Sequence, residues 1–333
     1  MKTTTLLAST ALAALSLAAP LAAKDYSGAE LYTQAPQTYG KFEARMKMAA
    51  GSGIVDSMLL YHNDSYLGGS EPWCEVDIEI LGKAPNRFAS QIVTGTAENK
   101  VTSESHHAVS PAADQAFHTY ALEWTPDYVA WLLDGTVVHK IVKGQGDNGQ
   151  VEAVAVKPMG LRFKLWSHED AGWVGAWNDN ILPVYHFVNW VKVYSYTPGQ
   201  GENGGDFTLD WTDNFDSFDS GRWDKGDWTE DGNRVDITPA AIVVTNGMAV
   251  LGLTKKGQEG FSGTVPSDDV FITSLSRTSD GLSITLDAPV STLYISTNYR
   301  TWTPLADSLS ITGTTATFDD SAYPHYYLST TPP

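Results

Sequence analysis

The stretch WCEVDIEILG, residues 73–82, sets three acids, Glu75, Asp77 and Glu79, at every second position of an otherwise apolar segment. Period two belongs to a β-strand, in which alternate side chains share a face. The three carboxyls therefore stand together on an open face, while Cys74, Val76, Ile78 and Ile80 point into a core. Like charges this close raise one another's pKa. Cleaving a glycosidic bond needs two flanking carboxyl groups, one protonated and one ionised. At a rise of about 3.3 Å per residue, Glu75 and Glu79 lie roughly 13 Å apart at Cα. Side chains leaning toward each other on a concave sheet bring the carboxyls to roughly 5–6 Å, the spacing of a retaining mechanism. Asp77, between them, hydrogen-bonds one of the pair and favours its neighbour's protonated form. A solvated acidic strand face or a cation site gives the same pattern and is the favoured reading of the motif alone, so context must carry the catalytic one.

Other chemistries find less support. His106 and His107 are adjacent and SHED at 167–170 is not H-E-x-x-H, so a zinc hydrolase lacks its ligand spacing. No Ser-His-Asp constellation is evident from spacing. GQGDNG at 144–149 and GQGENG at 199–204 match G-x-G-x-x-G, yet neither opens an apolar helix inside a βαβ unit. Both read as flexible loops, the second as a linker between two parts of the chain. A net charge of −18 argues against nucleic acid and anionic membranes, and leaves neutral partners such as sugars. The single cysteine, Cys74, excludes an intramolecular disulfide. Of 11 tryptophans, Trp73, Trp166, Trp173 and Trp228 lie beside polar or Gly-rich stretches, where a flat ring can stack on a sugar; core packing is the equal alternative.

The elements that must position these groups are strands. Residues 1–23 have a lysine, an apolar run and small residues, the pattern of a secretory signal peptide cut after Ala23. The run is too short for a membrane anchor. Beyond it, TYGKFEARMKM at 38–48, HTYALEW at 118–124 and YVAWLLDGTVVHKIV at 128–142 alternate in strand fashion, the last with a hairpin signal at Asp134-Gly135. No long amphipathic helix is evident, so the fold class is all-β, a β-sandwich over residues 24–268. From about Val270 tryptophan nearly vanishes and Ser and Thr rise. Residues 269–333 therefore read as a small β-rich C-terminal module whose role the sequence does not reveal.

WCEVDIEILGK, with its uninterrupted E-x-D-x-E spacing, resembles the catalytic strand of glycoside hydrolase family 16, in particular its lichenases (1,3-1,4-β-glucanases). YGKFEARMKM, FHTYALEWTPDYVAWLLDG, GLRFKLW, FVNWVKVY and NFDSFDSGRWDKGDWTEDGNRV extend the resemblance over roughly residues 25–265. The last block precedes the catalytic strand in ordinary lichenases and follows it here, the order of a circularly permuted jelly roll. The resemblance implies a secreted endo-acting enzyme hydrolysing mixed-linkage 1,3-1,4-β-glucan by double displacement, with Glu75 as nucleophile, Glu79 as acid/base and Asp77 assisting. It implies that Trp166, Trp173 and Trp228 line the sugar cleft and that Tyr61, Asn63, Trp73, Arg162 and Lys225 are polar or flanking contacts. No cofactor is expected for catalysis. A structural Ca²⁺ is implied at Asn189, Asn214 and Gly247, partly through backbone oxygens, which suit that ion. The expected partner is a β-glucan polysaccharide met by a monomer, with no nucleic acid and no membrane.

Several cleft positions depart from the lichenase pattern. Lys164 stands where an Asn is usual, and alternation puts it on the face of Arg162 and Trp166. A cation there stabilises ionised carboxylates and lowers the pKa of Glu79. Ala89 and Gln91 replace polar positions, Leu59 replaces a cleft aromatic, and Glu230 stands where a relative has an aromatic. Another β-glucan, transglycosylation, or a non-catalytic sugar-binding sandwich are the alternatives.

Overall fold

The computed structural model describes residues 23–268 and, beyond them, residues 272–278, 281–286, 293–296, 303–304, 309–312, 315–318 and 327–329. The signal-peptide reading of residues 1–23 lies, apart from Ala23, outside the described residues. The first strands in chain order are β1 (Tyr26–Thr33), β2 (Gly40–Lys47), β3 (Val55–Tyr61), β4 (Glu75–Leu81), β5 (Arg87–Gly95), β6 (Lys100–Ala108), β7 (His118–Trp124) and β8 (Tyr128–Leu133). They continue with β9 (Thr136–Val142), β10 (Gly160–Trp166), β11 (Val184–Tyr196), β12 (Phe207–Asp213), β13 (Trp223–Lys225), β14 (Val235–Ile237), β15 (Ile242–Thr245) and β16 (Met248–Lys255).

These strands hydrogen-bond in the order β6-β5-β4-β3-β10-β1-β16-β11-β2-β7-β8-β9, with β12 to β15 added at the side. The path folds back where β1 meets β16, giving two layers. One core fills the space between them: Val76, Ile78, Ile80, Phe88 and Ile92 from the first layer meet Phe42, Met46, Leu122, Trp124, Trp131 and Val191 from the second. This is the expected β-sandwich of the jelly-roll kind. Burying each such side chain contributes roughly 1.5–3 kcal/mol. The Trp131 indole N–H of β8 also donates to the Asp77 carbonyl at 2.7 Å, tying the acid-bearing strand to the opposite layer.

Turn chemistry follows the sequence. Asp134 and Gly135 have φ of 47° and 78°, the left-handed pair that a two-residue hairpin between β8 and β9 requires. The GQGENG stretch differs from expectation. Tyr196 of β11 pairs with Phe207 of β12, so these residues close a hairpin within one sheet and do not tether separate bodies.

After β16, residues 256–268 run over the outer face of the second layer. Phe261 packs edge-on against Tyr185 at 4.8 Å and Phe187 at 5.9 Å, over buried Phe117, Met248 and Val250. Asp268 then receives the Arg45 guanidinium at 2.9 Å and the Asn189 amide at 2.6 Å. The C-terminal stretch contains a four-stranded sheet (272–278, 281–286, 315–318, 309–312) and a three-stranded one (303–304, 294–296, 327–329), separate from the main sheet.

Candidate active site

Directly opposed residues of antiparallel strands share a face, so the register arranges the first layer's outer surface in rows. One row reads Ala89, Glu79, Ser57, Lys164, Glu30 across β5, β4, β3, β10 and β1. The next reads Gln91, Asp77, Leu59, Arg162, Tyr32, and the third Val93, Glu75, Tyr61, Gly160. Beyond β5, His106 and Glu104 of β6 oppose Ala89 and Gln91. The three acids thus share one face with Arg162 and Lys164, while Val76, Ile78 and Ile80 are fully buried behind them.

The acids are not equivalent. Asp77, in the middle, is only 6% exposed. Burial, then the charges of Glu75 and Glu79, push its carboxyl well above the usual carboxylate range, and it hydrogen-bonds Glu75. Glu75 also accepts the Trp73 indole N–H at 2.5 Å. Burial, with Glu75 and Glu104 nearby, pushes Glu79 up to about 8, although Lys164 and a hydrogen bond from Trp173 act the other way. The face therefore holds a Glu79 that keeps its proton toward neutral pH on the same strand as a Glu75 that hydrogen-bonds Trp73 and Asp77. That pairing suits acid-assisted nucleophilic displacement at an acetal.

Aromatic rings form the walls. Trp166 and Trp173 meet edge to face at 5.7 Å, and His168 lies 5.2 Å from Trp173. The Lys164 amine sits 4.0 Å from the Trp166 ring centre and 4.5 Å from that of Trp228. Burial holds this amine below its usual range, against the pull of Glu30, Glu230 and Glu75. At the other end, the Arg162 guanidinium lies 4.9 Å from the rings of both Tyr32 and Tyr61 and donates to Asn63 Oδ1 at 2.8 Å. Tyr61 in turn contacts Trp73, centroids 5.5 Å apart.

Of the residues singled out from sequence, Tyr61, Asn63, Trp73, Arg162, Trp166, Trp173 and Trp228 come together around the acids. Lys225 does not. It pairs with Leu31, which is fully buried, so it faces the core side of β13, and its amine donates to the Ile242 carbonyl at 2.9 Å. Glu30 was not foreseen: 2% exposed, it forms an ion pair with Arg162 and accepts the Trp228 indole N–H at 2.5 Å. Its signal was the same alternation, an acid between core-facing Ala29 and Leu31. Glu104, beside Glu79, was likewise not foreseen.

The implied calcium residues lie on the second layer. Val188↔Ala249 and Val191↔Asp213 pairings bring Asn189 near both Gly247 and Asn214, and the β2–β11 register slips at Asn189. The Asn214 carbonyl oxygen is 3.7 Å from where a Cβ on Gly247 would lie. Among the described residues no three His, Cys, Asp or Glu side chains cluster for a metal, so the oxygens near Asn189 are those of Asn189, the Asn214 and Gly247 loops and the Asp268 carboxylate that accepts the Asn189 amide at 2.6 Å. Such hard oxygens fit Ca²⁺.

The profile of Glycosyl hydrolases family 16 matches residues 7–181. The chain is 61% identical over 259 residues to the β-glucanase of Fibrobacter succinogenes, covering 78% of this chain and 72% of that one. It is 33% identical over 180 residues to the β-glucanase of Brevibacillus brevis, covering 54% and 63% of the two chains. Among solved structures, the Bacillus licheniformis β-glucanase superposes with a TM-score of 0.40 at 28% identity, over 49% of this chain and 68% of that one. The acid-bearing strand falls within the family match, and the chain belongs to glycosyl hydrolases family 16 as a glycoside hydrolase.

Proposed function

We propose that this glycoside hydrolase is an exported endo-β-glucanase that cleaves mixed-linkage 1,3-1,4-β-glucan with retention. The observation that carries this reading is the unequal pair on β4: Glu79, raised to about 8, and Glu75, holding hydrogen bonds from Trp73 and Asp77. The Glu75 carboxylate attacks the anomeric carbon and breaks the glycosidic bond as Glu79 gives its proton to the leaving oxygen. Glu79, now ionised, takes a proton from the water that cleaves the glycosyl ester and frees Glu75. Asp77 orients the nucleophile. The walls of Trp166, Trp173 and Trp228 suit the apolar faces of glucose units.

Names of the relatives favour a β-glucan, and the composition of residues 1–23 favours export. The permuted order gains support from the ends of the main body: the Asp25 carbonyl accepts the Lys256 N–H at 2.9 Å, so the points a permutation would join are adjacent. Asn189, Asn214 and Gly247 would hold a calcium ion through oxygens, fixing the middle of β11 against the end of β12 and the start of β16. The test is reducing-sugar release from barley β-glucan, laminarin, xyloglucan and carboxymethyl-cellulose, with Glu75→Gln alongside. Release from barley glucan alone, lost in Glu75→Gln, is expected. Release from a different polymer keeps the mechanism and moves the specificity. Binding without release from any of them overturns the reading.

A further inference from the structure

A cavity of about 430 Å³ lies outside the acid face, lined by residues 23–26 together with Glu169, Asp231 and Arg234. At its edge the Lys24 backbone N–H donates to Asp236 Oδ2 at 3.0 Å, an oxygen that the Lys256 amine also meets at 3.0 Å. Ala23, the residue before, is exposed. We propose that this site is a receptor for the chain's own processed N-terminus, in which Asp236 binds the α-ammonium group that cleavage after Ala23 creates. The proposal rests on the export reading.

The step is a peptide hydrolysis by water, catalysed by an export-associated endopeptidase. The Ala23–Lys24 C–N bond breaks, hydroxide goes to the Ala23 carbonyl carbon, and the Lys24 nitrogen gains hydrogen and then a proton. An amide N–H that donates to a carboxylate thereby becomes a full positive charge in the same place, and a charge-assisted hydrogen bond is the stronger. Asp236 is prepared for it. Burial alone pushes its carboxyl up, but the Lys256 amine, Thr229 and the Lys24 amide together hold it below the usual range. The new ammonium meets Asp236 and Lys256 on one side. On the other lies the cavity lined by Asp25, Glu169, Asp231, Arg234 and the Lys24 side chain, so acids outnumber bases in the surroundings. Because β1 begins at Tyr26, pairing with both Val235 and Lys255, an anchor at Lys24 holds the strand that carries Glu30 to the sheet.

An α-amine has an ordinary pKa of about 8, which a carboxylate partner raises in the folded state. Its contribution is then complete below about pH 8 and lost as pH rises through the folded value. The experiment compares the equilibrium unfolding of full mature chains beginning at Lys24 with chains that retain Ala22 and Ala23, each with and without Asp236→Asn. At pH 6.5 the Lys24 form is expected to have a three- to fivefold larger folded-to-unfolded ratio, in line with a partly exposed ion pair. Asp236→Asn removes that difference, and so does pH 10. Acetylating the α-amine of the Lys24 form, with no substitution, should bring it to the level of the longer chain. Equal stability of the two forms at pH 6.5, or a difference that survives Asp236→Asn and acetylation, overturns the proposal. The N-terminal mass of the exported protein is read separately: a start elsewhere defeats the cleavage position, while the unfolding of chains with defined starts still judges the Asp236 receptor.

Discussion

Asp77 and Glu79 are costly residues for the fold, and the proposed mechanism needs both. A Glu79 raised to about 8 retains a proton that the unfolded chain, near its ordinary value of 4.5, has released. Between those values the folded state binds more protons than the unfolded one, so this residue's contribution to stability falls as pH rises. Glu79→Gln removes the ionisable group and is expected to increase stability at pH 7.5 by at least about 1 kcal/mol while abolishing acid catalysis. Denaturant unfolding and polysaccharide hydrolysis, measured on one preparation, check the two halves. Lys164 works in the opposite sense. Its amine, between Trp166 and Trp228, is one of the groups that lower the Glu79 value. Lys164→Met is therefore expected to move the high-pH limb of kcat/KM upward from near 8, since that limb reports the free enzyme's essential acid. A limb that stays in place would show that the amine acts only on binding.

At the scale of elements, what was legible depended on distance along the chain. Alternation within β4 and β10 is local, so the shared face of Glu75, Asp77, Glu79, Arg162 and Lys164 was readable from sequence. The Glu30–Arg162 pair, 132 residues apart, exists only through the register of β1 with β10, which no local pattern reveals. Lys225 failed for a related reason: β13 is three residues long, too short for period two to declare a face. The Asp134-Gly135 hairpin was legible because its turn needs two left-handed residues. The segment after β16 was not, because no periodicity marks residues 256–268. Phe261 there covers Phe117, Met248 and Val250. Phe261→Ala is expected to cost about 1–3 kcal/mol and to expose an apolar patch that takes up a hydrophobic dye below the unfolding transition. On the same layer, chelation of calcium is expected to lower the unfolding temperature, and re-addition to restore it in a concentration-dependent way. Magnesium should not replace calcium, because it demands tighter octahedral geometry than loop carbonyls supply.

For the molecule as a whole, the property to test is whether its sheet depends on where the chain is cut. β11 and β12 pair through a Gly-rich loop, and β1 lies against β16 with Asp25 beside Lys256. If that loop joins ends that are free in an unpermuted relative, reopening it should be harmless once the other ends are closed. The reordered chain would run from residue 206 to residue 268, through a flexible linker, to residue 25 and on to residue 200. Residues 257–268 are retained because Phe261 and Asp268 hold the outer face. They span the path from Lys256 to Asp268 with 12 residues (268 − 256), so a linker of about that length can retrace it to Asp25. Loop closure depends only logarithmically on length, so this exchange should change stability by about 1 kcal/mol or less. The α-ammonium at Lys24 disappears in the reordered chain, and its loss should account for part of any decrease. Circular dichroism, thermal unfolding and hydrolysis rate are the measurements, with activity expected within about threefold of the original order. A reordered chain that folds but loses activity would mean that the Asp25–Lys256 junction positions β1, and through Glu30 the cleft. One that fails to fold would mean that the adjacency of the ends arises from the present chain order and does not support permutation.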